Sequence, residues 1–106
     1  MQTIENINKT IEENLAVMVY FSAPTCNVCH ALKPKLLEAL DANFEEFNIE
    51  SVDISVEEDI APHFAVFAIP TVLIFLDGKE FLRKSRHMSV DEVINEIKRP
   101  YEIMTR

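Results

Sequence analysis

The chain has two cysteines, Cys26 and Cys29, separated only by Asn27 and Val28. A pair this close cannot staple distant parts of a fold, as the framework of a secreted mini-protein does. The spacing points instead to reversible thiol–disulfide chemistry. An apolar run, Leu15 to Phe21, leads through Ala23-Pro24-Thr25 to a helix that begins at or near Cys26. The first thiol therefore falls among the unsatisfied N–H groups and the positive dipole end of that helix, where a thiolate is stabilised. The thiolate is the species that exchanges with disulfides. A thiol one turn deeper is expected to be less exposed and less ionised. About 40 residues further on stands Ile69-Pro70-Thr71.

Two other chemistries compete for these cysteines. His30 completes Cys-x-x-Cys-His, which is also the attachment signature of c-type haem. Haem needs an apolar crevice and usually an axial sulfur or imidazole. Met88 and His87 exist, but the motif sits at a strand-to-helix turn. Zinc held by Cys26, Cys29 and His30 with a distant His63 or His87 is the second, yet structural sites commonly use two Cys-x-x-Cys pairs and this chain has one. No metal is expected. His63 and His87 are read as surface or helix-end residues. His30 is either a solvent-exposed helix residue or, partly protonated within a turn of both sulfurs, a stabiliser of the thiolate.

The chain has 106 residues with 48% apolar content, enough for one core, so residues 1–106 are read as a single domain that folds alone as a monomer. A formal net charge of −8 argues against nucleic acid or anionic lipid as partners. No apolar run approaches the ~20 residues that span a bilayer. Met1 to Glu5 lacks a basic segment followed by an apolar stretch, and a cytoplasmic address is the expectation.

The elements that must position the cysteines follow from periodicity. Thr3 can cap a first helix with Ile4, Ile7, Ile11 and Leu15 at helical spacing. Leu15 to Phe21 is continuously apolar, as a central strand buried on both faces is. A helix follows from about Asn27 to about Ala42, with Leu32, Leu36, Leu37 and Leu40 on it and Pro34 kinking it. Phe47 to Ile54 reads as a half-polar strand. Ser55-Val56-Glu57-Glu58 reads as a capping box opening a short helix to about Phe67. Thr71 to Phe75 and Glu80 to Arg83 flank Asp77-Gly78, a strong hairpin signal, and Gly78 is the only glycine. Ser89-Val90-Asp91-Glu92 is a second capping box, with Met88 and Val93 as a hydrophobic staple. Val90, Val93, Ile94 and Ile97 then line the inner face of a last helix. The order αβαβαββα, with a parallel crossover and an antiparallel hairpin, predicts an α/β fold: a central mixed four-stranded sheet flanked by helices on both faces.

These residues resemble the thioredoxin family. The resemblance rests on Val19 to Cys29, Pro34, Val52-Asp53, Ala61-Pro62, Ile69-Pro70-Thr71 and Phe75-Leu76-Asp77-Gly78, and covers the chain from about residue 15 to its end. It implies a thioredoxin-like fold and a dithiol–disulfide oxidoreductase. Cys26 would be the exposed nucleophile and Cys29 the buried resolving thiol, with no cofactor beyond their redox-active disulfide. It also implies disulfide-containing protein substrates and a role in electron transport, with a reductase such as thioredoxin reductase restoring the dithiol. Pro70 would be a cis-proline that leaves the Ile69 backbone free to pair with an extended substrate, beside Thr25, Asn27, Val28 and Arg86.

Departures from the family accompany the match. Thr25 stands where the family usually has Trp, and Asn27-Val28 replaces Gly-Pro. Tyr20 takes the place of a buried acidic residue and Ser51 that of its lysine. Proton relay to Cys29 would then fall to the Tyr20 hydroxyl or a water. Arg86 replaces a glycine lining the substrate groove and makes the groove narrower and more basic. A glutaredoxin-like protein is disfavoured because Val-Leu-Ile-Phe follows Pro70-Thr71, without that family's Gly-Gly-Asp segment. The alternative function is an interaction module that keeps the fold while its thiols sense redox state or do nothing.

Overall fold

The computed structural model describes residues 2–106. Along the chain it forms α1 (Ile4–Glu13), β1 (Ala16–Ser22), α2 (Asn27–Asn43), β2 (Asn48–Asp53), α3 (Ile60–His63), β3 (Thr71–Leu76), β4 (Lys79–Ser85) and α4 (Val90–Met104). The continuous apolar run of β1 is explained by its place in the sheet order β2-β1-β3-β4, where β1 pairs parallel with β2 and antiparallel with β3. Successive side chains alternate between two cores. Ala16, Met18 and Tyr20 join Cys29, Leu36 and Leu40 of α2 and Val93, Ile94 and Ile97 of α4. Val17, Val19 and Phe21 join Ile7 and Ile11 of α1 and Ile60 of α3. Each large apolar side chain buried this way contributes roughly 1.5–3 kcal/mol relative to exposure. The centre of the sheet is thus the firm base from which the Cys26 turn emerges.

Local signals set the element ends. The Thr3 hydroxyl accepts the Asn6 N–H at 3.1 Å and the Ser89 hydroxyl accepts the Glu92 N–H at 3.3 Å, so both caps form as expected. Asp77 and Gly78 both have positive φ, 53° and 79°, the geometry that a two-residue hairpin loop demands. The α2 helix continues through Pro34 to Asn43, and α4 contains a second internal proline, Pro100, that the sequence pattern did not single out.

Two expectations need correction. Leu15 belongs neither to the first helix nor to the strand. It sits between them with its side chain exposed, and its carbonyl accepts the Asp77 N–H at 2.8 Å. The helix expected from Ser55 to about Phe67 shrinks to Ile60–His63, with no side-chain cap. Its supposed capping residues have other partners: the Ser55 N–H and hydroxyl both donate to Asp53 Oδ1, and Glu57 Oε1 accepts the Asp53 N–H at 3.2 Å. An Asx-type turn takes the place of a helical one.

Candidate active site

The turn after β1 closes when the Cys26 N–H donates to the Ala23 carbonyl at 3.0 Å, and α2 starts at the next residue. Cys26 is the N-cap, with extended backbone geometry, and its sulfur accepts the Cys29 N–H at 3.2 Å. A capping sulfur therefore occupies the place usually taken by a serine or aspartate oxygen. The two cysteines are joined as a disulfide, with their Cα atoms 5.3 Å apart. Exposure separates them: Cys26 is partly accessible, whereas Cys29 is 1% exposed and packs in the core shared by α2 and α4.

Tyr20 lies beneath this turn, fully buried on the same face of β1, and its hydroxyl donates to the Cys29 carbonyl at 2.8 Å. Burial pushes its pKa up to about 12. The hydroxyl proton is committed to a carbonyl oxygen, and Tyr20 serves as a tether from the sheet to the first turn of α2. Ser51 stands opposite Tyr20 in the register of β1 with β2 and brings no charge to the site. His30 is exposed and turns its ring back over the motif, with Nε2 2.9 Å from the Pro24 carbonyl. That contact requires a proton on Nε2.

In front of Cys26 runs a groove of about 400 Å³. Cys26, Asn27 and Val28 form one wall, Ile69 and Pro70 the other, and Arg86 and His87 the end. Thr25 is exposed on the turn just before Cys26 but does not line the groove. Val28 is 61% exposed at the rim. The Ile69–Pro70 peptide is cis. Among the described residues, neither the N–H nor the carbonyl of Ile69 has a backbone partner, whereas the Pro70 carbonyl accepts the Arg86 N–H at 2.7 Å. Arg86 has φ +63°, a left-handed conformation that favours glycine and costs another residue about 1–2 kcal/mol.

Two residues that sequence reasoning missed hold the Ile69 wall in place. The Arg83 guanidinium reaches from β4 and donates to the carbonyls of Phe64 and Ala65, each at 2.8 Å. The Thr71 hydroxyl donates to the Ala68 carbonyl at 2.6 Å and meets the Ser85 hydroxyl at 2.9 Å. A basic residue on an edge strand carries no signal of such a partner, because edge strands commonly bear exposed charges.

The alternative metal set is not assembled. Cys26 and Cys29 are bonded to each other, and His63 lies at the end of α3 against the Phe64 ring. Among the described residues no three His, Cys, Asp or Glu side chains are grouped so as to hold a metal ion. No helix of the described residues is long and apolar enough to cross a membrane.

Many known proteins are similar to this chain. A family model described as Thioredoxin matches residues 1–99. The chain is 31% identical over 103 residues to Thioredoxin-like protein YdfQ of Bacillus subtilis (strain 168), covering 97% of this chain and 91% of that one. It is 37% identical over 90 residues to Thioredoxin of Chlamydia trachomatis serovar D, covering 85% and 86% respectively. Thioredoxin 1 of Thermosipho africanus TCF52B superposes with a TM-score of 0.75 at 32% identity, over 85% of this chain and 99% of that structure.

Proposed function

The chain belongs to the thioredoxin family and has that family's thiol–disulfide oxidoreductase activity, and from this we propose that it exchanges the disulfides of protein substrates through Cys26 and Cys29. The observation that carries the reading is the placement of Cys26: a partly exposed sulfur at a helix N-cap, hydrogen-bonded by the Cys29 N–H and facing the Ile69–Pro70 groove. In the reduced protein that N–H and the helix dipole favour the Cys26 thiolate. The thiolate attacks one sulfur of a substrate disulfide. The substrate S–S bond breaks, and the departing sulfur leaves with the electron pair and takes up a proton. Cys29 loses its proton and attacks the Cys26 sulfur, which releases the second substrate sulfur as a thiolate to be protonated in turn. Two electrons and two protons have then passed to the substrate, and the Cys26–Cys29 disulfide remains.

The extended segment around the substrate cystine would lie along Ile69, whose N–H and carbonyl, without a backbone partner among the described residues, offer a short strand-like pairing. A reductase such as thioredoxin reductase would return the pair to the dithiol. The proposed working compartment is the cytoplasm, where thiol pools keep such pairs reduced. An insulin-reduction assay with dithiothreitol tests the reading. Turnover by the unsubstituted protein and its loss in both Cys26→Ser and Cys29→Ser is the expected result. No acceleration over dithiothreitol alone would overturn it and leave an interaction module.

A further inference from the structure

Among the described residues, Arg86 is the one permanently charged side chain lining the groove in front of Cys26. Its neighbours in sequence are neutralised: Arg83 pairs with Glu80 at 2.8 Å, and Lys84 pairs with Glu92 and Glu96, each at 3.1 Å. Among the described residues the exposed guanidinium of Arg86 has neither a hydrogen bond nor an ion pair, although the chain carries eighteen acidic residues. Glu92 is the one carboxylate in the adjoining depression, which Arg86 also lines, and Lys84 already holds it. The backbone of Arg86 is fixed, since its N–H donates to the Pro70 carbonyl and its φ is +63°. A long cation is thus anchored beside Pro70, at a position whose conformation would suit glycine better.

Resting on the oxidoreductase reading above, we propose that Arg86 is a specificity-determining residue that selects protein disulfides with an aspartate or glutamate within two residues of the reacting cysteine. A substrate chain extended along Ile69 advances about 3.3 Å per residue, so one or two residues from the cystine bring a carboxylate within reach of the guanidinium. Guanidinium and carboxylate match as a two-pronged pair, and no groove carboxylate competes for the fork. The bulk negative charge of the chain works against acidic partners. Water and salt screen that diffuse charge, with a Debye length of about 8 Å at physiological ionic strength, whereas Arg86 acts at contact.

The test uses three synthetic peptides of equal length, each with one internal cystine and with glutamate, glutamine or lysine next to one cysteine. Reduction by the dithiol protein is measured at physiological ionic strength, and each rate is divided by that peptide's rate with dithiothreitol to remove intrinsic differences in cystine reactivity. The unsubstituted protein is expected to favour the glutamate peptide over the glutamine peptide by about fivefold in kcat/KM, the scale of one partly screened ion pair. Arg86→Gln and Arg86→Gly should bring that ratio to about one, Arg86→Lys should keep part of it, and Arg86→Glu should favour the lysine peptide. Arg86→Gly relieves the left-handed strain, so its ratio is read on a protein at least as easily folded. Equal ratios in the unsubstituted protein and Arg86→Gln would overturn the proposal. Failure of the unsubstituted protein to reduce insulin or any of the three peptides would overturn the oxidoreductase reading itself.

Discussion

The Tyr20 hydroxyl reaches from the middle strand to the first turn of α2 and donates to the Cys29 carbonyl across 2.8 Å. Tyr20→Phe removes that bond and leaves a buried carbonyl one donor short, so the oxidised protein should lose about 1 kcal/mol at neutral pH. A hydroxyl that only tethers α2 predicts a rate of insulin reduction within about twofold of the unsubstituted protein, whereas one that relays the Cys29 proton predicts a larger loss. Alkaline pH adds a second signature. Burial raises the Tyr20 pKa from 10.0 to about 12 in the folded protein, and this stability is intact below pH 10.0 and is lost as pH rises through about 12. Urea titrations of the oxidised protein between those limits should show a decline that Tyr20→Phe lacks.

Cys26 and Cys29 differ in accessibility, and for the proposed exchange this asymmetry predicts an order of events. In the reduced protein, iodoacetamide should modify Cys26 first and Cys29 only after unfolding. A Cys29→Ala variant should stop at the mixed disulfide, because nothing remains to attack the Cys26 sulfur. Mass spectrometry of the variant after incubation with a protein disulfide should find substrate on Cys26. Labelling of Cys29 ahead of Cys26 would reverse the two roles.

The parts of this fold legible in the sequence were those whose cause is local. The Ser89 cap, the Asp77-Gly78 turn and the double-faced burial of β1 each follow from a few consecutive residues, and each is present. The stretch from Ser55 to Phe67 misled because its capping pattern is also a turn pattern. The Asp53 side chain, before the supposed box, captured Ser55 and closed a turn instead. At the site, Cys26, Cys29 and the Ile69–Pro70 wall could be placed from spacing and family likeness together. What Tyr20 bonds to, and that Arg83 braces the loop of Ile69, could not, because both depend on contacts between residues 9 to 19 positions apart in different elements.

Gly78 offers a test of backbone strain without packing. A Cβ at this position would meet nothing within 4 Å, so a substitution clashes with no neighbour. Its φ of +79° alone decides the effect. Gly78→Ala should destabilise the protein by about 1 kcal/mol, and Gly78→Asn by less, because asparagine tolerates the left-handed region better. A urea midpoint that falls for alanine with an unchanged slope is the expected result. Equal midpoints for all three would show that the hairpin does not need this conformation.

Arg83 links an ion pair to the wall of the groove, and two variants separate those tasks. Its guanidinium donates twice to Glu80 and once each to the Phe64 and Ala65 carbonyls. The hydrogen bond from Arg83 lowers the Glu80 pKa, and stability from this source is present above the usual carboxylate value of 4.5 and is lost as pH falls through the lower folded value. Both side chains are about one-third exposed, at 35% and 38%, so solvent screening holds the pair to a fraction of about 1 kcal/mol. Glu80→Gln should therefore remove a small acid-side dependence and leave the loop intact, whereas Arg83→Ala should also release the Phe64 and Ala65 carbonyls. The N–H groups of Ala65 and Val66, now bonded to the Pro62 and Ala61 carbonyls at 3.0 and 2.8 Å, should then exchange faster with deuterium. Because the same loop presents Ile69, Arg83→Ala should raise KM for a protein disulfide several-fold while the dithiol still forms and closes normally. Unaltered exchange at residues 64–66 in Arg83→Ala would mean that the loop is held by its own turns alone.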